Sequence, residues 1–537
     1  MSVSSPRCIM PEGPRKFKVS ATEGQVVRAL GGIAGATLLS RLLGFVRDAV
    51  VARAFGAGPI TDAFFVAFRI PNILRRLLAE GALSTAMIPV FTDYMARDDR
   101  PELHRMLRAV LGLSLLALTV TTALGIVFAP EVLQAIAPGF MNDPGQASLA
   151  VSLTRIMFPY LILVGLAAMA TGILNSQGRF FAAALGPAVL NVGMILAVVL
   201  LARHVDPPIV SLAIGVLAGG IGQLLVQVPS LSACGLLVAP SRELSHPAIA
   251  RITRLLLPAV FGLAAVQLMV FVNTLLASLL PLGSISYLYY ADRVMEFPLG
   301  VFGIALASAS LPVMARHAAA RDDRGLADTL NFSLRLALYV SVPATVGLVV
   351  LRTPIVRVLF ERGRFGAAET AATAEALAWY AIGLAGFAGS RIVAQTFYAR
   401  SEAATAVRWG VVSIVANVVA ALALMGPLGH AGLAGAASVG AYVNLIALVV
   451  IARLRLGRLG GRAIVSLAAR TILASLPLAA LCWLSLAWWP THPPFVVDVA
   501  WLAVTIAAGA AVFWIASIAL GISERTALLD LFRRRKR

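Results

Sequence analysis

Charge is what this sequence has least of. Only 13% of its 537 residues are charged, with 25 acids against 44 lysines and arginines. Soluble domains carry about 25% charged and about 45–50% apolar residues. At 59% hydrophobic and a mean hydropathy of +0.88, this chain falls outside that class and reads as a polytopic membrane protein. Cysteine is nearly absent: Cys8, Cys234 and Cys482 lie far apart with no metal or redox spacing. The six histidines fall mostly in loops, none paired at ligand spacing. There is no Ser/His/Asp cluster, no Gly-rich loop ending in Lys-Ser/Thr and no His-rich tract. The expectation is a non-enzyme with no metal ligands and no resident cofactor. The opening MSVSSPRCIMPEGPRKFKVS is polar and basic, with no compact apolar core and cleavage site behind it. It reads as a cytoplasmic tail.

What the chain does have is long apolar runs. A membrane span needs about 20 mostly apolar residues, and Gly, Pro and charge clusters divide the chain into about fourteen such stretches. They run from 28–52, 61–92 and 107–129 at the start to 465–488 and 498–521 at the end. Alternate connecting segments carry 27 lysines and arginines, and the opposite set carries five. Basic residues collect on the cytoplasmic side, so both termini are expected there. The net charge of +19 then needs no nucleic-acid partner. One segment goes against the rule: RTPIVRVLFERGRFG, 352–366, places four arginines on the outer side. It reads either as an amphipathic element lying in the interface or as a second contact for an anionic substrate.

The stretches ALSTAMIPVFTDYMARDDR (82–100) and ALASASLPVMARHAAARDDR (305–324) repeat one pattern: Ala-Leu, a proline, then Ala-Arg-Asp-Asp-Arg. Six spans separate them, so they share an orientation. That implies an all-α fold of two parallel six-helix repeats, a design that places a substrate site between its halves, with two further helices outside. The expected divisions are a tail (1–24), two six-helix lobes (25–235 and 236–460), two extra transmembrane helices (461–522) and a basic tail (523–537).

Within these spans lie charges that hydrocarbon opposes, at roughly 2.5–3.5 kcal/mol each on insertion scales. They are Arg41 and Arg47; Asp62, Arg69, Arg75 and Glu80; and Asp292, Arg293 and Glu296. Arg53, Arg69 and Arg76 can snorkel to a surface. Arg293 and Glu296, three apart, can neutralise one another. Arg41 and Arg47 stand about 120° apart around a helix, which calls for a cavity wrapping round it or a bend at Gly44. Pro71 and Pro298 are expected to interrupt their helices. The surplus of arginine suits a phosphate-bearing ligand, because the planar guanidinium binds phosphate through two parallel hydrogen bonds. Asn273 and Asn417 can serve interhelical hydrogen bonds or a coupling cation such as sodium.

The stretch SRLLGFVRDAVVARAFGAGPITDAFFVAFRIPNILRRLLAEGALSTAMIP (40–89) closely resembles the first two helices of the MurJ/MviN lipid II flippases, of the multidrug/oligosaccharidyl-lipid/polysaccharide exporter superfamily. YYADRVMEFPLGVFGIALASASLP (289–312) resembles that family's eighth helix, and LFERGRF (359–365) its outer loop. The resemblance implies export of the undecaprenyl-pyrophosphate-linked cell-wall precursor, lipid II, across the bacterial inner membrane by alternating access. Membrane lipids and the cell-wall synthesis machinery are the implied partners. It places cavity arginines at Arg41, Arg47, Arg75 and Arg293, and supporting acids at Asp48, Asp62 and Glu80, beside Glu296 from the residue reading. It assigns 465–488 and 498–521 to a groove for the lipid tail. The competing readings are an exporter of another polyprenyl-linked saccharide, a drug/cation antiporter of the same fold, and a membrane glycosyl- or phosphotransferase. The antiporter predicts acids and aromatics in the cavity, and the transferase predicts clustered acidic metal ligands.

Overall fold

The computed structural model describes residues 21–77, 83–97, 99–243, 245–490 and 494–526, with main chain only over 21–34, 74, 77, 83–85 and 259–266. Glu80 and much of both predicted tails lie outside them. Among the described residues no strand forms, and helices follow the apolar runs. The first predicted span is α1 (Ala21–Phe55); the second divides into α2 (Pro59–Leu77) and α3 (Leu83–Ala96). Then come α4 (Arg100–Val127) and the short α5 (Ala129–Ile136), and the fourth span as α6 (Pro144–Met157) and α7 (Tyr160–Ser176). Next are α8 (Phe180–Leu201), α9 (Val210–Leu225), the short α10 (Val228–Ala233) and α11 (Pro247–Ser278). The eighth span is α12 (Ser284–Pro298), a π-helical segment (Leu299–Ile304) and α13 (Ala305–Ala319). It is followed by α14 (Asp323–Val350), the short α15 (Arg352–Phe360), α16 (Ala367–Ile382) and α17 (Leu384–Ala399). The chain closes with α18 (Ala403–Leu456), α19 (Gly461–Ala487) and α20 (Phe495–Ala519).

Among the described residues, each of the predicted stretches coincides largely with helix. Nine elements among the described residues are long and apolar enough to cross a membrane, and the α16–α17 pair, bent by 41°, makes a tenth. Two predicted spans share the 54-residue α18. At 1.5 Å per residue such a helix would far exceed a hydrocarbon core of about 30 Å, and it turns at Gly429, whose φ of 55° and ψ of −132° are not helical. Pro298 does end a regular helix, as expected, and the backbone continues with π-helical hydrogen bonding. Pro71 does not: α2 runs through it to Leu77.

The repeat appears in the packing. α2 packs on α6 as α12 packs on α16; α3 on α7 as α13 on α17; α4 on α7 as α14 on α17. The acidic loops that mark the repeat in sequence are helix caps. Asp99 accepts a hydrogen bond from the Glu102 amide to start α4, and Asp322 accepts one from the Gly325 amide to start α14. Among the described residues no group of three or more His, Cys, Asp or Glu is placed to hold a metal ion. α19 packs on α14, and α20 on α19, outside the repeat.

The apolar cores divide unequally along the bundle. Opposite the basic loops, at what is here called the far end, one core joins both halves: Val51, Phe55, Phe64 and Phe140 with Leu276, Ile285, Tyr290 and Phe360. At the basic end there are two separate cores. One gathers Met87, Phe91, Met106 and Leu174, with Ile252 from α11; the other gathers Met314, Leu330, Ile392 and Phe397. One shared core seals the two halves at the far end; at the basic end the first half's core takes in α11 of the second half, and the remaining second-half helices form a core of their own.

Candidate substrate-binding site

Each guanidinium in a membrane protein must find water or a partner, and the arginines of α1 do so differently. α1 is unbroken at Gly44, so the six-residue spacing sends Arg41 and Arg47 to different faces. Arg47 is buried. Its Nε and Nη2 donate to Asp48 Oδ1 at 3.0 and 2.6 Å, Nη1 donates to Asn191 Oδ1 at 3.0 Å, and Nη2 donates to the Tyr289 hydroxyl at 2.9 Å. Asn191 in turn donates to the Ser40 carbonyl. Gly44 faces this contact, and a Cβ there would lie at ordinary van der Waals distance, 3.7 Å, from Asn191 Nδ2. Arg47 is thus held by three elements, α1, α8 and α12.

Asp48 is the hinge of the cluster. Its Oδ1 serves Arg47 and accepts from the Tyr289 hydroxyl at 3.1 Å, while Oδ2 lies 3.3 Å from Arg293 Nε on α12. Arg293 also donates to Glu296 at 3.0 Å and lies over the Tyr289 ring, 5.2 Å from its centre. With 36% of its side chain exposed, it keeps access to an incoming ligand. Arg41 is exposed, and among the described residues it has neither hydrogen bond nor ion pair. Its guanidinium lies against Gly300 of the π-helical segment, where a Cβ would meet Nη1 at 2.5 Å. Arg75 donates from Nε to Asn72 at 3.0 Å on its own helix.

Asp62 is not in this cluster. Its Oδ2 accepts from the Gly283 amide at 2.6 Å, and Oδ1 accepts from the Ser286 amide at 2.8 Å and the Ser286 hydroxyl at 2.5 Å. The N-cap of α12 is Gly283 at φ 93°, with no side chain to offer; a carboxylate from the first half supplies the cap. Asp62 therefore closes the far end. The predicted acid Glu80 lies outside the described residues.

Other polar groups join the seam. Arg69, read as a snorkeler, donates to Thr274 on α11 at 2.8 Å. Asp292 is within electrostatic reach of Arg69, Arg76, Arg293 and Glu296. Arg391 of α17 stands near Glu296 and Asp292. It was missed although its signal, an arginine inside an apolar run, is the one that found the others. Tyr289 and Asn191 carried no signal of that kind. Asn417 is fully buried, and both polar atoms of its side chain lack a partner among the described residues.

The arginine-rich segment 352–366 is amphipathic. Pro354, Val356, Val358 and Phe360 are buried. Arg357 pairs with Asp498 of α20 at 2.5 Å, and Arg362 covers the Phe495 ring at 3.7 Å. The Arg364 amide donates to the Arg53 carbonyl at the end of α1, 3.0 Å away. Gly56, at φ +74°, allows this contact; a Cβ there would come within 2.6 Å of the Arg364 carbonyl.

A bundle of two pseudo-equivalent halves, sealed at one end with arginines along the seam, defines a multi-pass membrane transporter rather than an enzyme. Comparison with known proteins supports the class. The fold superposes on "Lipid II flippase MurJ, inward closed conformation" with a TM-score of 0.76 at 24% identity, over 90% of this chain and 97% of that one. It also superposes on an inward-facing MATE family multidrug transporter of the MOP superfamily, with a TM-score of 0.65 at 16% identity, over 81% and 99%. The family model described as "Lipid II flippase MurJ" matches residues 51–504. A probable lipid II flippase MurJ of Vibrio cholerae serotype O1 is 39% identical over 395 residues, 72% of this chain and 75% of the relative. One of Rhizobium meliloti is 37% identical over 430 residues, 79% of this chain and 80% of the relative. The chain belongs to the MurJ family.

Proposed function

We propose that this protein moves lipid II, the undecaprenyl-pyrophosphate-linked cell-wall precursor, from the cytoplasmic to the periplasmic leaflet of the bacterial inner membrane. The basic end and both termini face the cytoplasm, so the described state is sealed toward the periplasm. The observation that carries the reading is the arginine seam between the halves, in a chain of this family. Arg41 and Arg293 take the pyrophosphate, with Arg75 completing the contact. A pyrophosphate offers more oxygens to Arg293 than Glu296 and one arm of Asp48 do, and charge-assisted phosphate contacts are among the stronger hydrogen bonds.

Arg47 acts differently. Its hydrogen bonds to Asp48, Asn191 and Tyr289 make it the post on which Asp48 is held, and through Asp48 it positions Arg293. Drawing Arg293 onto the ligand loosens its contact with Asp48 across the halves, which is the differential contact an alternating-access cycle requires. An inside-negative potential favours outward movement of an anion by about 2.3 kcal/mol per charge per 100 mV. The reading therefore needs no resident cofactor.

The test is a leaflet-accessibility assay for lipid II in cells depleted of their own flippase. Expression of this protein is expected to restore periplasmic exposure of the precursor. Unchanged cytoplasmic retention, with the protein inserted in the membrane, would overturn the proposal.

A further inference from the structure

The seam has a second side. Its wall is the π-helical segment, which faces α1 through Gly300 and Arg41, while Phe297, one turn earlier, meets Phe45 of α1 edge-on with ring centres 6.0 Å apart. Behind it lies a cavity of about 300 Å³ between the π-helical segment, α13, α14 and α17. Its lining is almost wholly aliphatic: Val301, Leu306, Leu336, Val340, Leu384 and Ala388 shape it. Ser341 is the one hydroxyl, and it is occupied in donating to the Ala337 carbonyl. The cavity is not sealed: Val301 and Phe302 at its mouth are 44% and 40% exposed.

Close packing is the norm in protein interiors, and a void of this size beside exposed apolar side chains wants an apolar occupant. π-Helical turns concentrate at functional sites. Here the turn lets one stretch of chain carry Gly300, against the Arg41 guanidinium, and the apolar Val301, Phe302 and Leu306 of the cavity. Glu296 and Arg293 sit just before it on α12. A ligand with a diphosphate at Arg293 and Arg41 therefore leaves the seam directly beside this cavity.

We infer that the cavity bounded by Leu299–Ile304, α13, α14 and α17 seats the first isoprene units of the substrate's polyprenyl chain. This rests on the proposed function and deepens it: the diphosphate is held on one side of the π-helical segment and the proximal tail on the other. It differs from the α19–α20 groove implied by resemblance, which lies across α14. The pair sets specificity for a lipid-linked diphosphate over a free one.

The test compares two probes by native mass spectrometry on the purified full-length protein: undecaprenyl-linked lipid II, and an analogue with the same headgroup and a chain too short to reach the cavity. Wild type is expected to hold the long-chain probe at least about tenfold more tightly, the value of about two buried methylenes. Filling the cavity from opposite walls, with Ala344→Phe or Ala309→Phe, should remove that preference and leave short-chain binding unchanged. Thermal melting close to wild type confirms that each variant is folded; if one melts early, the other carries the comparison. A long-chain preference that survives both fillings would overturn the inference, as would loss of bound phospholipid alone, which would make the occupant a bulk acyl chain. Failure of wild type to bind either probe would instead overturn the functional proposal.

Discussion

The two ends of the bundle hold their halves by opposite means. At the far end Phe55, Phe64, Tyr290 and Phe360 form one core across the halves. Backbone contacts reinforce it: the Arg364 amide on the Arg53 carbonyl, and Asp62 on the amides that start α12. At the basic end there are two cores; the first half's takes in Ala248 and Ile252 from the first turns of α11, and exposed ion pairs such as Arg251–Asp93 and Arg105–Glu243 add to that join. A seal made of shared apolar surface is strong but must come apart as a unit, whereas exposed ion pairs contribute little and separate easily. The arginine seam lies between these two regimes. There Arg41 and Arg293 keep exposure, while Arg47 and Asp48 are buried.

The largest expected effect comes from the seam itself. Arg293→Ala or Arg41→Ala should reduce complementation of a flippase-depleted strain to background while leaving membrane insertion intact; full rescue by both variants would detach the seam from transport. Next is the far-end cap. Asp62→Ala removes three hydrogen bonds to the start of α12 and should weaken the seal by about 3 kcal/mol. The measurement is maleimide labelling of Ala137→Cys, a buried far-end position, in a background without native cysteines; labelling should rise sharply. Gly56→Ala should raise the same labelling less, through about 2 kcal/mol of backbone strain at a positive φ, and unchanged labelling would show that the Arg364 contact is not part of the seal.

The smallest effect belongs to the basic end. The Arg105 guanidinium holds the Glu243 carboxyl below its ordinary value of 4.5. Its contribution is present above that value and lost as the pH falls through the depressed one. Melting of wild type and Glu243→Gln should therefore differ slightly at neutral pH and converge in acid. A large neutral difference would mean that the basic end is held more firmly than its two cores indicate.

Much of the architecture was legible from residues 82–100 and 305–324, since a repeated Pro-then-Ala-Arg-Asp-Asp-Arg pattern at an even span separation fixes a parallel duplication. The Ala-Arg-Asp-Asp-Arg run starts seven residues after Pro89 but eight after Pro312, yet the capping residues Asp99 and Asp322 each lie ten residues past the proline. The seam was partly legible, because Arg41, Arg47 and Arg293 stand out in apolar runs. Arg391 stood out equally and was passed over. The roles were not legible. Asp62 read as a companion of the arginines, yet its partners are Gly283 and Ser286, more than 200 positions away. Arg47 read as a ligand contact and is committed to Asp48, Asn191 and Tyr289.

The sequence by itself determined which segments enter the membrane, that they form two like-oriented sets, and which charges would need an exceptional environment, because hydrocarbon penalises each misplaced residue locally and additively along the chain. Only the tertiary structure decided which guanidinium is spent on a carboxylate and which is left for a ligand. Pairing depends on distances between helices far apart in sequence, and those are set by how the helices pack.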